Sequence, residues 1–376
     1  MCELVLPAWP KKGEACLLPV EEFVTPELRD DLLNPNRCLL PKEEWPQAPP
    51  KSKVHASDSE WYSIVQEGVA RNIFGEISYE QIFKDHNGVP VLNGAMGVDK
   101  IKEIDGKPTN LLRFICILVP INSYLRKLRG DSNLLPFLPQ MSLLALEPNE
   151  LLYIDSEDML SCFNLFKMPD SWAGFFAFEK PVSSAVFGKD PNNVSYVYMR
   201  AVPMGWLGAV DVMQAMARKL IFNTCNVFPS IELCKDSDLP EGDVSIVCMD
   251  GFDFIKRVKM LGDMFDAPSR ERSKEMESFI TTCRDLGLPL NASKQLIQGL
   301  RASVLGGEVD GLSGRIMHSR EKGFKMMLKT LALLTLDRVS RTHVQHWCGL
   351  FCFAAGFRRP LFSVLQEVFS IYTELS

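Results

Sequence analysis

Apolar positions along the chain change period several times, and each change predicts an element. From Ser57 onward Trp61, Ile64, Val65, Val69 and Ile73 recur at spacings near 3.6, with Ser57 or Ser59 as cap, which predicts a helix packing one stripe on a core. After Gly97 the segment GVDKIKEIDGKPTNLLRFICILVPIN predicts a basic hairpin: a strand, an Asp-Gly turn, then a strongly apolar strand ending at Asn122. Further on, LLYI before Asp158, AGFFAFEKPV, VSYVYMRAV and VSIVCM before Asp250 read as strands, with a helix from about Val210 to Phe222 ahead of the last. An amphipathic helix from Phe265 to Leu286, a turn at LGLPLNASK and a strand-like SVLGGEV follow; residues 319–376 read as helices broken at Arg358-Arg359-Pro360. This order predicts an α+β sheet with helices on one face. No internal repeat or low-complexity tract is present.

The first 55 residues differ. Pro7, Pro10, Pro19, Pro26, Pro35, Pro41, Pro46, Pro49 and Pro50, among many charges, block regular helix or sheet and predict a flexible arm. The expected division is therefore an arm over 1–55, a main unit over 56–318 and a helical segment over 319–376.

Composition permits a globular protein of two or three units: 376 residues, 46% hydrophobic and 23% charged. The longest apolar runs, LLRFICILVPI and LKTLALLTL, are shorter than the roughly 18 residues of a membrane span, and no basic-then-apolar leader opens the chain. No membrane association is expected. Eleven cysteines without a CxxC pair fit reduced thiols in an intracellular protein, cytoplasmic or nuclear. None of the five histidines has zinc-ligand spacing. The net charge of −6 argues weakly against a nucleic-acid partner, but residues 256–360 hold 18 Lys and Arg against 10 Asp and Glu, enough to face phosphates.

Candidate chemistry sits at two acidic strand ends, YIDSEDMLSCFNLF at 153–166 and IVCMDGFDFI at 246–255, with VPMGWLGAVDVMQ between them. Taken singly, each residue has a plain explanation. An aspartate at a strand end is usually a turn former, Phe163 a core aromatic, Arg113 a surface side chain and Lys294 a solvated turn position. Their order raises their value. Two apolar strands tipped by Asp158 and Asp250, on neighbours about 4.8 Å apart, are a way to hold two magnesium ions for phosphoryl transfer, because magnesium prefers hard carboxylate oxygens.

These blocks resemble the palm of a reverse transcriptase of the retroelement and retroviral kind, over roughly residues 56–360. Asp158 followed five residues later by Phe163 is similar to the family's metal-binding aspartate and the aromatic beneath the nucleotide sugar. Pro203-Met204-Gly205-Trp206 and the helix after it, with Gln214, resemble the turn and template-gripping helix; Met204 would lie near the incoming nucleotide and Gly205 would allow close backbone approach. Cys248-Met249-Asp250-Gly251 occupies the place of the Tyr-x-Asp-Asp hairpin. Leu286 to Lys294 and then Ser303 to Gly307 resemble the Gly-Leu-x-Leu-Asn-x-x-Lys segment and the primer-gripping hairpin, which implies that Lys294 protonates the leaving pyrophosphate. Arg113 and Asn122 are spaced like the triphosphate-binding arginine and the asparagine at its strand end, with Lys100 or Lys102 as the finger lysine. Trp347, Leu350, Phe351 and Ala354 fall at helical spacing and read as core, while Arg358 and Arg359 would touch the primer–template backbone.

The resemblance implies a right-hand polymerase of fingers, antiparallel palm and short helical thumb. Its implied function is RNA-directed DNA synthesis with two Mg2+ ions, a dNTP substrate and an RNA or DNA primer–template. The implied metal ligands are Asp158, Asp250 and, if it substitutes for the missing second hairpin aspartate, Asp253. The departures at Cys248, Gly251, Ile117 and Val119 motivate a competing expectation, a degenerate or domesticated copy that binds nucleic acid without synthesis. A third, a structural protein with incidental acidic strand ends, expects no sheet bringing Asp158 beside Asp250.

Overall fold

Short apolar segments separated by prolines build the N-terminal part. In this computed structural model, which describes residues 5–104, 107–225, 227–260 and 271–368, the segment expected to be a flexible arm is part of the core instead. Val20, Val24, Leu28 and Leu32 are buried, and the indole of Trp172 donates to the carbonyl of Leu32 at 2.7 Å. Proline blocks extended ladders but not burial. Pro26 opens helix α1 (Pro26–Leu33) at its first turn, where no amide partner is lost, behind a Thr25 cap. Leu18–Pro19 pairs in parallel with Phe166–Lys167.

Helix α2 (Asp58–Ala70) begins as its sequence predicts, with a capping box between Ser57 and Glu60, and buries Trp61, Ile64 and Val65. The predicted hairpin is strands β1 (Gly94–Ile104) and β2 (Lys107–Ile117), paired along their whole length; the second strand stops short of the expected Asn122, because Val119–Asn122 with Pro120 in its first turn forms a helical turn, and the Asp105-Gly106 turn lies outside the described residues. The apolar AGFFAFEKPV segment is not one strand. Residues Asp170–Phe175 form a 3-10 helix, because Trp172, Phe175 and Phe176 pack on one another, with Trp172 and Phe176 stacked at 5.3 Å.

The central sheet contains β3 (Glu150–Asp158), β4 (Val244–Cys248), β5 (Gly251–Lys259) and β6 (Leu296–Gly299), in spatial order β6-β3-β5-β4 and antiparallel at every pairing. Period-2 alternation divides its side chains. Val247, Phe252 and Phe254 face helix α3 (Ala209–Thr224) and helix α4 (Lys274–Asp285), with Phe252 and Phe279 at 5.3 Å. Helix α4 starts at a Ser273 cap, later than the predicted helix from Phe265; the 265–270 part of that prediction lies outside the described residues. Leu152, Ile154, Ile246 and Ile255 face the other way, onto Leu138, Met141, Val304 and Val309. That second cluster joins the central sheet to a small antiparallel sheet, β7 (Arg301–Val304), β8 (Gly307–Asp310) and β9 (Arg315–His318).

Helices α5 (Arg320–Leu334) and α6 (Arg341–Gly356) follow, with the expected break at Arg358 before a 3-10 segment. Trp347 and Phe351, expected as core, are half-buried; the Trp347 indole bonds Thr330 across the helix pair. Among the described residues no helix is long and apolar enough to cross a membrane.

Candidate functional site

The site is assembled by hairpin register. Cys248 and Gly251 pair with each other around a two-residue turn, Met249-Asp250, with Met249 at φ +45°. Gly251 also pairs with Asp158 at the end of β3, so the tips carrying Asp158 and Asp250 are adjacent in one sheet. The amide of Met159 donates to the carbonyl of Asp250 at 2.6 Å and fixes that adjacency. The expectation of unrelated acidic strand ends fails on this pairing.

The hairpin is braced from behind by Gln214. Its side chain is fully buried, donating to the carbonyl of Val247 at 2.9 Å and accepting from the amide of Met249 at 3.0 Å. The sequence suggested contact with template or nucleotide; the structure gives Gln214 a positioning role, because both ends of its amide are committed to the turn that presents Asp250.

Lys294 arrives from the opposite side. The amide of Asn291 donates to the carbonyl of Asp158 at 2.8 Å, and Leu296 in β6 pairs with Ser156, so the turn between them is tied to the end of β3. The Lys294 ammonium lies 2.5 Å from Asp158 Oδ2.

A cleft of about 330 Å³ brings six expected residues together: Arg113, Asp158, Phe163, Met204, Asp250 and Lys294. Lys100 also lines it, whereas the side chain of Lys102 is outside the described residues. Burial and the negative charge of Asp158 raise the carboxyl of Asp250 above its ordinary range, and Lys294 and Arg113 oppose that shift.

Gly205 has a different reason than nucleotide approach. Its φ is +110°, and a Cβ there would collide with the carbonyl oxygen of Cys116 in β2. The turn is held by Asn122, which donates to the carbonyl of Gly205 at 2.9 Å and accepts from the amide of Leu207 at 3.0 Å. Trp206 points into the core, edge-on to Trp172 at 4.8 Å, while Met204 faces the cleft.

Asp253 shares the face of Gly251 two residues along β5, opposite Ser156, and lines a second cleft of about 560 Å³ with Asp158, Asp250 and Lys294. Desolvation pushes its carboxyl up to about 7, with Asp158 adding to the rise and the Ser156 hydrogen bond and Lys294 opposing it. Gly251 itself contributes no donor, although a Cβ at that position would lie 3.1 Å from Asp158 Oδ1. Among the described residues no group of three His, Cys, Asp or Glu side chains is arranged to hold a metal ion. Two carboxylates with an ammonium already on one of them do not fit a pair of divalent cations.

Asp155 and Glu157, both buried, were not singled out from sequence. Asp155 accepts from the amides of Ser273 and Gln298, each at 2.7 Å, tying α4 and β6 to β3. Glu157 is raised above its ordinary range by desolvation and held by Gln295 and Arg272. Their signal in the sequence is parity: they alternate with Asp158 and so lie on the helix side of the sheet, with Glu157 also bordering the second cleft.

No family model matches the sequence, and no curated protein matches it. Among solved structures, the fold is similar to that of the foamy viral protease-reverse transcriptase in complex with double-stranded DNA, with a TM-score of 0.52 and 14% identity over 96% of this chain and 58% of that one. Another structure of the foamy viral protein, with an RNA/DNA hybrid, gives a TM-score of 0.49 and 13% identity over 85% of this chain and 35% of that one. The mixed helix and sheet architecture resembles a reverse transcriptase. At these identities the likeness is one of fold, and the chain spans less than two thirds of the viral protein's length.

Proposed function

We propose that this chain is a reverse-transcriptase-like protein that binds a primer–template end and a nucleoside triphosphate in the cleft at Asp158 and Asp250, with two-metal synthesis impaired. The observation that carries this reading is the meeting of Arg113, Phe163, Met204 and Lys294, from four separate segments, around two adjacent acidic strand tips. Arg113 and Lys100 would meet the phosphates, Phe163 would support the sugar, and Met204 would contact the base pair from the braced turn. The loss of a carboxylate at Gly251 and the ammonium on Asp158 favour binding over catalysis.

The test is fluorescence anisotropy with a labelled primer–template at several salt concentrations, alongside primer extension with Mg2+ or Mn2+. Expected are salt-dependent duplex binding and extension at background level. Absence of binding at low salt overturns the proposal. A second reading, RNA-directed DNA polymerase with Asp253 as substitute ligand, is favoured by the shared face of Asp253 and Gly251, although two residues along a strand separate side chains by about 6.6 Å. Robust extension abolished by both Asp158→Asn and Asp253→Asn would establish it.

A further inference from the structure

We propose that Lys294 is the built-in cation of this cleft, so that a nucleoside triphosphate binds there without a divalent metal. The inference rests on the reading above and deepens it. Adjacent carboxylates repel unless something positive lies between or beside them, and at a partly buried strand tip that repulsion is several-fold larger than in water. Polymerase-type sites answer this with metal ions. Here the donor set is one carboxylate short at Gly251, and the ammonium of Lys294 sits 2.5 Å from Asp158 Oδ2.

The placement is enforced by backbone. Asn291 bonds the carbonyl of Asp158, Lys294 closes a turn onto the carbonyl of Asn291 at 2.9 Å, and Leu296 then enters the sheet opposite Ser156. The side chain spans the boundary between the two clefts, lining both. It is 62% exposed against 18% for Asp158, so the head group can lean toward a ligand while the carboxylate stays fixed. An ammonium carries three donors and can hold Asp158 and phosphate oxygens together, the bridging geometry that a metal would otherwise supply.

Charge agrees with this assignment. Around the first cleft the charges of Asp158 and Asp250 are balanced by Arg113 and Lys294, so a triphosphate with no metal present meets no excess of negative charge there. An aspartate at position 251 would tip that balance negative. Phe163 in the same cleft supplies the apolar support that selects a nucleoside triphosphate over inorganic phosphate.

The experiment is calorimetric titration of the full chain with dGTP, in EDTA and in excess Mg2+, for the native protein, Lys294→Met and Lys294→Arg. The native affinity is expected to change less than about threefold between the two conditions. Lys294→Met is expected to lose at least about tenfold in EDTA and to recover most of it in Mg2+, whereas Lys294→Arg keeps metal-free binding. Thermal melting confirms that the exposed Lys294 variants are folded. Native binding of dGTP only with Mg2+, or no binding of dGTP in either condition, overturns the inference, as does metal-free binding unchanged in Lys294→Met. Duplex anisotropy on the native protein is read separately: if metal-free dGTP binding fails while duplex binding persists, the proposed primer–template binding stands and the role of Lys294 as built-in cation falls.

Discussion

Restoring a carboxylate at position 251 tests the account of the site most directly. In Gly251→Asp the new Cβ lies 3.1 Å from Asp158 Oδ1, tighter than an ordinary contact, so the Asp158 side chain must shift by a few tenths of an ångström. The two carboxylates then face each other across paired positions of β3 and β5. At about 4 Å and an effective dielectric near 20, their repulsion is about 4 kcal/mol, of which the neighbouring Lys294 offsets a large part. A net loss of about 1–2 kcal/mol is expected in EDTA. A divalent cation reverses the sign: three carboxylates converge, and at 100 times Kd the bound ion stabilises the fold by about 2.7 kcal/mol. The assay is thermal melting of both proteins in EDTA and in increasing Mn2+, with Mn2+ binding followed by electron paramagnetic resonance. The variant should melt below the native protein in EDTA and above it at saturating Mn2+, while the native protein responds little. An equal Mn2+ response in both proteins would refute the claim that the missing carboxylate limits cation binding.

Three other outcomes follow from the same geometry. Gln214→Leu leaves the Met249 amide and Val247 carbonyl without their buried partner, so a loss of about 2–4 kcal/mol in chemical denaturation is expected; less than about 1 kcal/mol would mean that Gln214 does not brace the hairpin. Gly205→Ala places a Cβ against the Cys116 carbonyl at a left-handed φ, so soluble yield and melting temperature should both fall, by an amount equivalent to about 2–4 kcal/mol; a neutral substitution would contradict the turn described here. Asp253 has its carboxyl raised from 3.8 to about 7, so the folded chain holds a proton there that the unfolded chain releases, and this contribution to stability is lost as pH rises from about 4 to about 7. For a dry site the change is about 4 kcal/mol, and the carboxyl's partial exposure lowers the expectation to about 2 kcal/mol. Asp253→Asn should flatten the urea-measured stability between about pH 4 and about pH 7 by that amount; an unaltered slope would refute the assignment.

Much of the local structure was legible from residue order. The Ser57 cap and 3.6-residue spacing gave the helix at Asp58–Ala70, the alternation after Gly97 gave the long hairpin, and the Arg358-Arg359-Pro360 break was found at its place. The N-terminal segment was misjudged because proline density reports on regular hydrogen bonding and carries no information on whether Val20, Val24 and Leu28 meet a core. The AGFFAFEKPV segment at 173–182 was misjudged because a run of aromatics satisfies strand and core patterns alike, and mutual ring packing decided between them.

For the site, the sequence by itself determined the chemical inventory: acidic strand tips at Asp158 and Asp250, a glycine where another carboxylate would stand, and Arg113, Phe163 and Lys294 at recognisable distances along the chain. The tertiary structure decided which of these share a cleft, that Gln214 and Gly205 serve the scaffold, and that the Lys294 ammonium rests on Asp158. The division has a physical cause. Periodicity and capping act over a few residues and are written locally, whereas the partner of a charge is set by strand register and loop closure between segments far apart in the chain.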